Sequence, residues 1–134
     1  MNEFNLEVGM KARVEIIVAQ KDTAEEFGSG GVKVLATPLM IGLMEKAAME
    51  AIEPHLPNGY GTVGTNVNVS HLAATPIGMK VYAIAEVIDI DRKKINFKVE
   101  AFDEREKIGE GSHDRYIIEL EKFISKSNSK KAKE

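Results

Sequence analysis

The chain has no cysteine, which removes disulfides, thiolate metal sites and a cysteine nucleophile together. No apolar run approaches ~18 residues, and the start MNEFNLEVGMKARVEI carries acids without an apolar core of signal-peptide length. Neither a membrane span nor a leader is expected, and a cytoplasmic location is the default. A net charge of -3 supplies no global pull toward nucleic acid or an anionic membrane, so neither is an expected partner. The 3 histidines occur without HxH or HExxH spacing, which argues against a metal site, and no cofactor is expected. Repeats and linkers are also missing. The 134 residues read as one domain over 1–123, followed by a polar tail at 124–134 that has nothing to bury and is expected to be disordered.

What is present is one unusual helix. Thr37 to Glu53 reads TPLMIGLMEKAAMEAIE, with threonine as the expected N-cap, Pro38 at the first helical position, and Pro54 and Pro57 to end it. At ~100° per residue, Met40, Ile41, Leu43, Met44, Ala47, Ala48, Met49, Ala51 and Ile52 fill a broad apolar arc. Lys46, Glu50 and Glu53 share a narrow polar strip. Glu45 falls inside the apolar arc, where a charge is desolvated unless something answers it. A helix apolar around most of its girth is one that other structure wraps.

The rest of the chain supplies the wrapping. Residues 1–12 alternate Phe4, Leu6 and Val8 and suggest a short extended arm; Lys11 to Ala19 reads as a first strand. The following loop holds Phe27 and Gly28-Ser29-Gly30-Gly31, without the spacing or lysine of a phosphate-cradling loop. After the helix, Val63, Thr65, Val67, Val69 and His71 alternate with Gly64, Asn66, Asn68 and Ser70. That period of two predicts a strand with the first set facing the core, which makes His71 a neighbour of Glu45. Thr75-Pro76-Ile77-Gly78 turns into a strand over Met79 to Ile90, Asp91-Arg92 turns into Lys94 to Phe102, and a further turn leads into Ile108 to Phe123. Gly109 and Gly111 in the last strand suggest a bulge or a close backbone approach. One antiparallel sheet of about five strands curled round one long helix, an α+β fold, buries all these faces.

Local geometry aims three polar side chains at one volume: Thr37, Glu45 and His71. Each has a bland reading on its own, as a cap, a tolerated charge and a satisfied core histidine. The bland reading is hardest to sustain for Glu45, because an unpaired buried carboxylate costs several kcal/mol or is forced neutral. Together a desolvated carboxylate and an imidazole can serve as general base or nucleophile toward a carbonyl. Helix N-terminal amides near Thr37, or the backbone at Gly64, can hold a developing oxyanion. His113 and Arg115 in GSHDRY share a face of the last strand, where an edge ion pair accounts for them at least as well as chemistry does.

Three segments, ATPLMIGLMEKAAMEAI, VGTNVNVSHLAATPIG and IGEGSHDRYII, resemble the hotdog-fold acyl-CoA thioesterases, most closely the branch that includes fluoroacetyl-CoA thioesterase. The resemblance spans roughly residues 10–123. It implies a hotdog fold, hydrolysis of a small or medium acyl-CoA, and an active site of Thr37, Glu45 and His71 with Gly64 as its glycine. It also implies a homodimer paired edge to edge, with acyl-CoA sites near the subunit interface. The fluoroacetyl-specific member closes its acyl pocket with aromatic residues. Here the corresponding lid offers glycines and only Phe27 as a substrate-binding aromatic, so the fluorinated substrate is not carried over. Two rivals stand beside hydrolysis: a non-catalytic module that binds acyl-CoA, and a hotdog enoyl-CoA hydratase. The hydratase's usual D-x-x-x-x-H arrangement is missing around His71.

Overall fold

A computed structural model describes residues 4–131. Five strands form one antiparallel sheet in the order β1-β3-β4-β5-β2, where β1 is Lys11–Ile17, β2 Tyr60–His71, β3 Lys80–Asp91, β4 Lys94–Phe102 and β5 Lys107–Glu119. A short helix α1 (Ala24–Phe27) precedes the long helix α2 (Thr37–Ile52). The expected meander of β3, β4 and β5 is present, and its inward faces, Val81, Ala83, Ala85 and Val87 against Ile95, Phe97, Val99 and Ala101, are fully buried. Helix α2 lays Met40, Leu43, Met44, Ala47, Ala48, Ala51 and Ile52 on that surface. Small alanines on both sides let helix and sheet approach closely, so the apolar arc becomes the core.

Three expectations change. Of the arm over residues 1–12, residues 1–3 lie outside the described set. Phe4 and Leu6 are buried, but the backbone turns at Asn5 (φ 59) and Gly9 (φ 101), so no strand forms there. At the other end β5 stops at Glu119 rather than Phe123, and the chain continues as helix α3 (Leu120–Asn128) and a 3-10 turn (Ser129–Lys131) where a disordered tail was expected over 124–134, of which residues 132–134 lie outside the described set. Leu120, Phe123 and Ile124 recur at helical spacing, and Leu120 covers Gly61, its Cδ2 lying 3.1 Å from where a β-carbon would stand.

The third change concerns β2. Its register against β5 slips between Gly64 and Asn66, so that Thr65 is the extra residue of a bulge. A bulge exchanges the faces on either side of it. Before it, Thr62 and Gly64 pair with the buried Ile117 and Arg115 and look inward; beyond it, Val67 pairs with His113 and His71 with Gly109. Val63 and Thr65 therefore do not share the inward face with His71 as unbroken alternation predicted. Since β2 is also the sheet edge, its middle, Gly64 to Asn68, is exposed.

Candidate active site

Thr37 does not cap α2. The N-cap is Ala36, which offers no side-chain bond, and Thr37 is the first helical residue with Pro38 behind it. Its hydroxyl is thereby free for another partner, and it lies 2.6 Å from Nδ1 of His71. His71 is the last residue of β2, half-buried, and its Nε2 is buried without a hydrogen-bond partner among the described residues. Burial holds the imidazole below its ordinary pKa, partly opposed by the nearby backbone at Ala73. The ring is therefore neutral near pH 7, fixed through one nitrogen and unanswered at the other. Both side chains line a cavity of about 440 Å³ whose other walls include Ala24, Ser29, Leu35 and Leu72.

Glu45 belongs to a different part of the same chain. It is half-buried rather than sealed in the core. A β-carbon placed on Gly64 would stand 3.2 Å from Glu45 Oε2, 3.1 Å from His113 Cε1 and 3.5 Å from Arg115 Nη1. The carboxylate acts electrostatically on His113 and Arg115, and it shares no hydrogen bond with His71 among the described residues. Thr37 and Glu45 are 8 positions apart on one helix, which at ~1.5 Å per residue separates them by about 12 Å along its axis. The expected Glu45–His71 contact is thus not made within one chain.

His113 and Arg115 were underrated by the sequence, because β5 is flanked by β4 and β2 and is no edge. Both are buried, and neither meets a carboxylate within ion-pair distance among the described residues. Arg115 donates from Nε to Thr62 Oγ1 (2.8 Å) and from Nη2 to the Thr62 carbonyl (3.1 Å). Its Nη1 lies 3.2 Å from His113 Nε2, while His113 Nδ1 donates to the Asn66 carbonyl at 2.8 Å. With Nδ1 committed as donor, Nε2 is the acceptor, so His113 is neutral; burial, foremost, and the adjacent guanidinium lower its pKa. The pair grips β2 at Thr62 and at Asn66 and so brackets the bulge that presents Gly64 to Glu45. Glu53, at the far end of α2, accepts from Thr62 N (2.9 Å) and Oγ1 (2.7 Å) and ties the helix to the same strand.

Phe27 does not line the cavity; it is 55% exposed on α1. Gly64 is placed with Glu45, and Thr37 with His71, so the sequence-selected residues fall into two half-sites. Between Gly28 and Gly31 only Ser29 lines the cavity.

The fluoroacetyl-CoA-specific thioesterase family matches residues 18–121. A fluoroacetyl-CoA thioesterase of Streptantibioticus cattleyicolor is 42% identical over 98 residues, 73% of this chain and 70% of that protein. The solved structure of a fluoroacetyl-CoA thioesterase superposes with a TM-score of 0.88 at 34% identity, covering 94% of this chain and 98% of that one. A thioesterase superfamily member from Thermus thermophilus gives a TM-score of 0.85 at 30% identity over 93% of each chain. A hot-dog-like protein from Thermanaerovibrio acidaminovorans, 20% identical, shares the fold at a TM-score of 0.89. The sheet curled round α2 is a hotdog fold, and the chain belongs to the fluoroacetyl-CoA-specific thioesterase family.

Proposed function

We propose that this protein hydrolyses the thioester of a small or medium acyl-CoA, releasing CoA and a carboxylate, and that it does so as a homodimer. The observation that carries the reading is His71 itself: an imidazole held by Thr37 through one nitrogen, buried and unpaired at the other among the described residues, on a side chain that lines a cavity in a thioesterase-family chain. Glu45 is base or carboxylate nucleophile. When it acts as base, a water attacks the carbonyl carbon, Glu45 takes its proton, and the tetrahedral oxyanion collapses with loss of the thiolate. With Thr37 donating to Nδ1, the one proton of the neutral His71 ring sits on Nε2, which donates a hydrogen bond to the departing sulfur. The proton that Glu45 took from water is passed on to the thiolate, so that imidazole and carboxylate end as they began. Thr37 orients His71 rather than Glu45, and the Gly64 backbone lies open to the reacting carbonyl.

The dimer brings the halves together. Strand β2 is an edge with unpaired backbone groups and an exposed Val67, the kind of surface that closes by pairing with a second copy. Antiparallel pairing about its exposed middle carries the His71 end of one strand toward the Gly64 end of the other. Glu45 and Gly64 of one protomer then face Thr37 and His71 of its partner. Among the described residues no helix is long and apolar enough to cross a membrane. A cytoplasmic location is our proposal. With only Ser29 of the glycine-rich loop lining the cavity, the fluorinated substrate is not carried over to this chain.

Thiol release from a panel of acyl-CoAs tests the activity. Wild-type protein should liberate CoA, and Glu45→Gln should lose about 10²-fold or more of kcat while keeping its circular dichroism. Binding without release of thiol would favour the non-catalytic module, and loss of enoyl absorbance without thiol a hydratase.

A further inference from the structure

Two turn motifs remain without a role: Thr75, in the turn that follows β2, and Asp103, in the turn between β4 and β5. They are 0% and 8% exposed. Thr75 Oγ1 donates to Asp103 Oδ2 at 2.8 Å, and Asp103 Oδ1 accepts the N–H groups of Arg105 (2.8 Å) and Glu106 (2.9 Å). The carboxylate is thus anchored to its own turn, and the hydroxyl is anchored to the carboxylate. The carbonyl of Thr75 in turn accepts the N–H of Leu35 at 2.8 Å, and Pro76 bridges to Val34. Leu35 lies just before Thr37, and Thr75 lies just beyond His71. On its other side the 34–36 segment is held by Thr23, which bridges Leu35, and by the Asp22 carbonyl, which accepts the N–H of Ala36.

We propose that Thr75, fixed by Asp103, is a positioning residue that sets the distance between Thr37 and His71. The inference rests on the thioesterase reading above. Thr37 and His71 enter from segments far apart in sequence, and the Leu35–Thr75 bond is where those segments are locked in register. A backbone bond alone tolerates sliding by tenths of an ångström. The buried side-chain tie to the sheet's far turn removes that freedom, and a 2.6 Å contact between Thr37 and His71 depends on its removal.

The test compares Thr75→Val, which keeps the shape and deletes the donor, with Thr75→Ser, which restores it, under saturating acyl-CoA. Thr75→Val should lower kcat about tenfold with KM changed less than about twofold, and Thr75→Ser should stay within about twofold of wild type. In a Thr37→Ala background the same Thr75→Val change should cost less than about twofold, because the contact it positions is already gone. A folded Thr75→Val enzyme with wild-type kcat overturns the proposal, as does an equal loss in both backgrounds or a Thr75→Ser enzyme as slow as the valine variant. Should Thr75→Val not fold, Thr75→Ala replaces it under the same criteria. Wild-type protein without thiol release removes the thioesterase reading, whereas an active wild type indifferent to Thr75 removes this inference alone.

Discussion

The buried, unpaired Nε2 of His71 has a thermodynamic signature as well as a chemical one. Burial is the largest cause of the lowered pKa at both His71 and His113. For a histidine lowered in the folded state, the unfolded chain takes up protons first as pH falls. The associated stability is complete above the ordinary value of 6.5 and drains away from there down to the folded value. Thermal midpoints should therefore drop as pH falls below the ordinary value of 6.5, and His113→Gln should flatten that slope; equal slopes would contradict the assignment. Asp103 does not contribute in that range. Burial alone would raise its pKa, but the hydrogen bonds from Arg105, Thr75 and Glu106 outweigh it, so its stabilisation is complete above 3.8, adds no slope near neutrality and is lost only as pH falls below that value. In catalysis the same sign holds: the neutral imidazole persists on the acid side further than a solvated histidine would, so the acid limb of kcat attributable to His71 lies below about 6.5.

At the scale of single elements the bulge in β2 decides most of the site. Gly64→Ala puts a β-carbon 3.2 Å from Glu45 Oε2 and 3.1 Å from His113 Cε1, closer than ordinary contact. The carboxylate has to move, and kcat should fall about 10-fold to 100-fold while the melting midpoint changes little. Gly111→Ala is the contrast, since its β-carbon would meet the backbone carbonyl of Asn68 on the paired strand. A backbone atom cannot swing aside, so that substitution should destabilise on the order of 3 kcal/mol in denaturant titrations. What was legible in advance follows the same division. Helix α2, strand β4 and strand β3 as far as Val87 obey uninterrupted periods of 3.6 and 2, and their cores could be read from residue order. Thr65 breaks the period of β2 with no marker of its own, because any residue can occupy the extra position of a bulge. The burial of His113 and Arg115 followed from strand order, which no local pattern encodes. Helix α3 was hidden by its lysines and serines, although Leu120, Phe123 and Ile124 carry a helical spacing.

At the scale of the whole molecule, β2 leaves one edge of the sheet open. Val67 is exposed on this strand, which pairs with β5 on its other side, so sedimentation should show a dimer, and Val67→Asp should yield inactive monomers. The separation of Glu45 from His71 within a chain makes a sharper demand, because each active centre then draws its carboxylate from one protomer and its imidazole from the other. The direct measurement is complementation: Glu45→Gln and His71→Asn proteins, each inactive alone, are unfolded together, refolded as a mixture and assayed for thiol release. Mixed dimers would hold one intact centre and one doubly damaged centre, so random reassociation should restore about a quarter of wild-type activity. A mixture of verified mixed dimers that remains as inactive as its parents would contradict the shared centre.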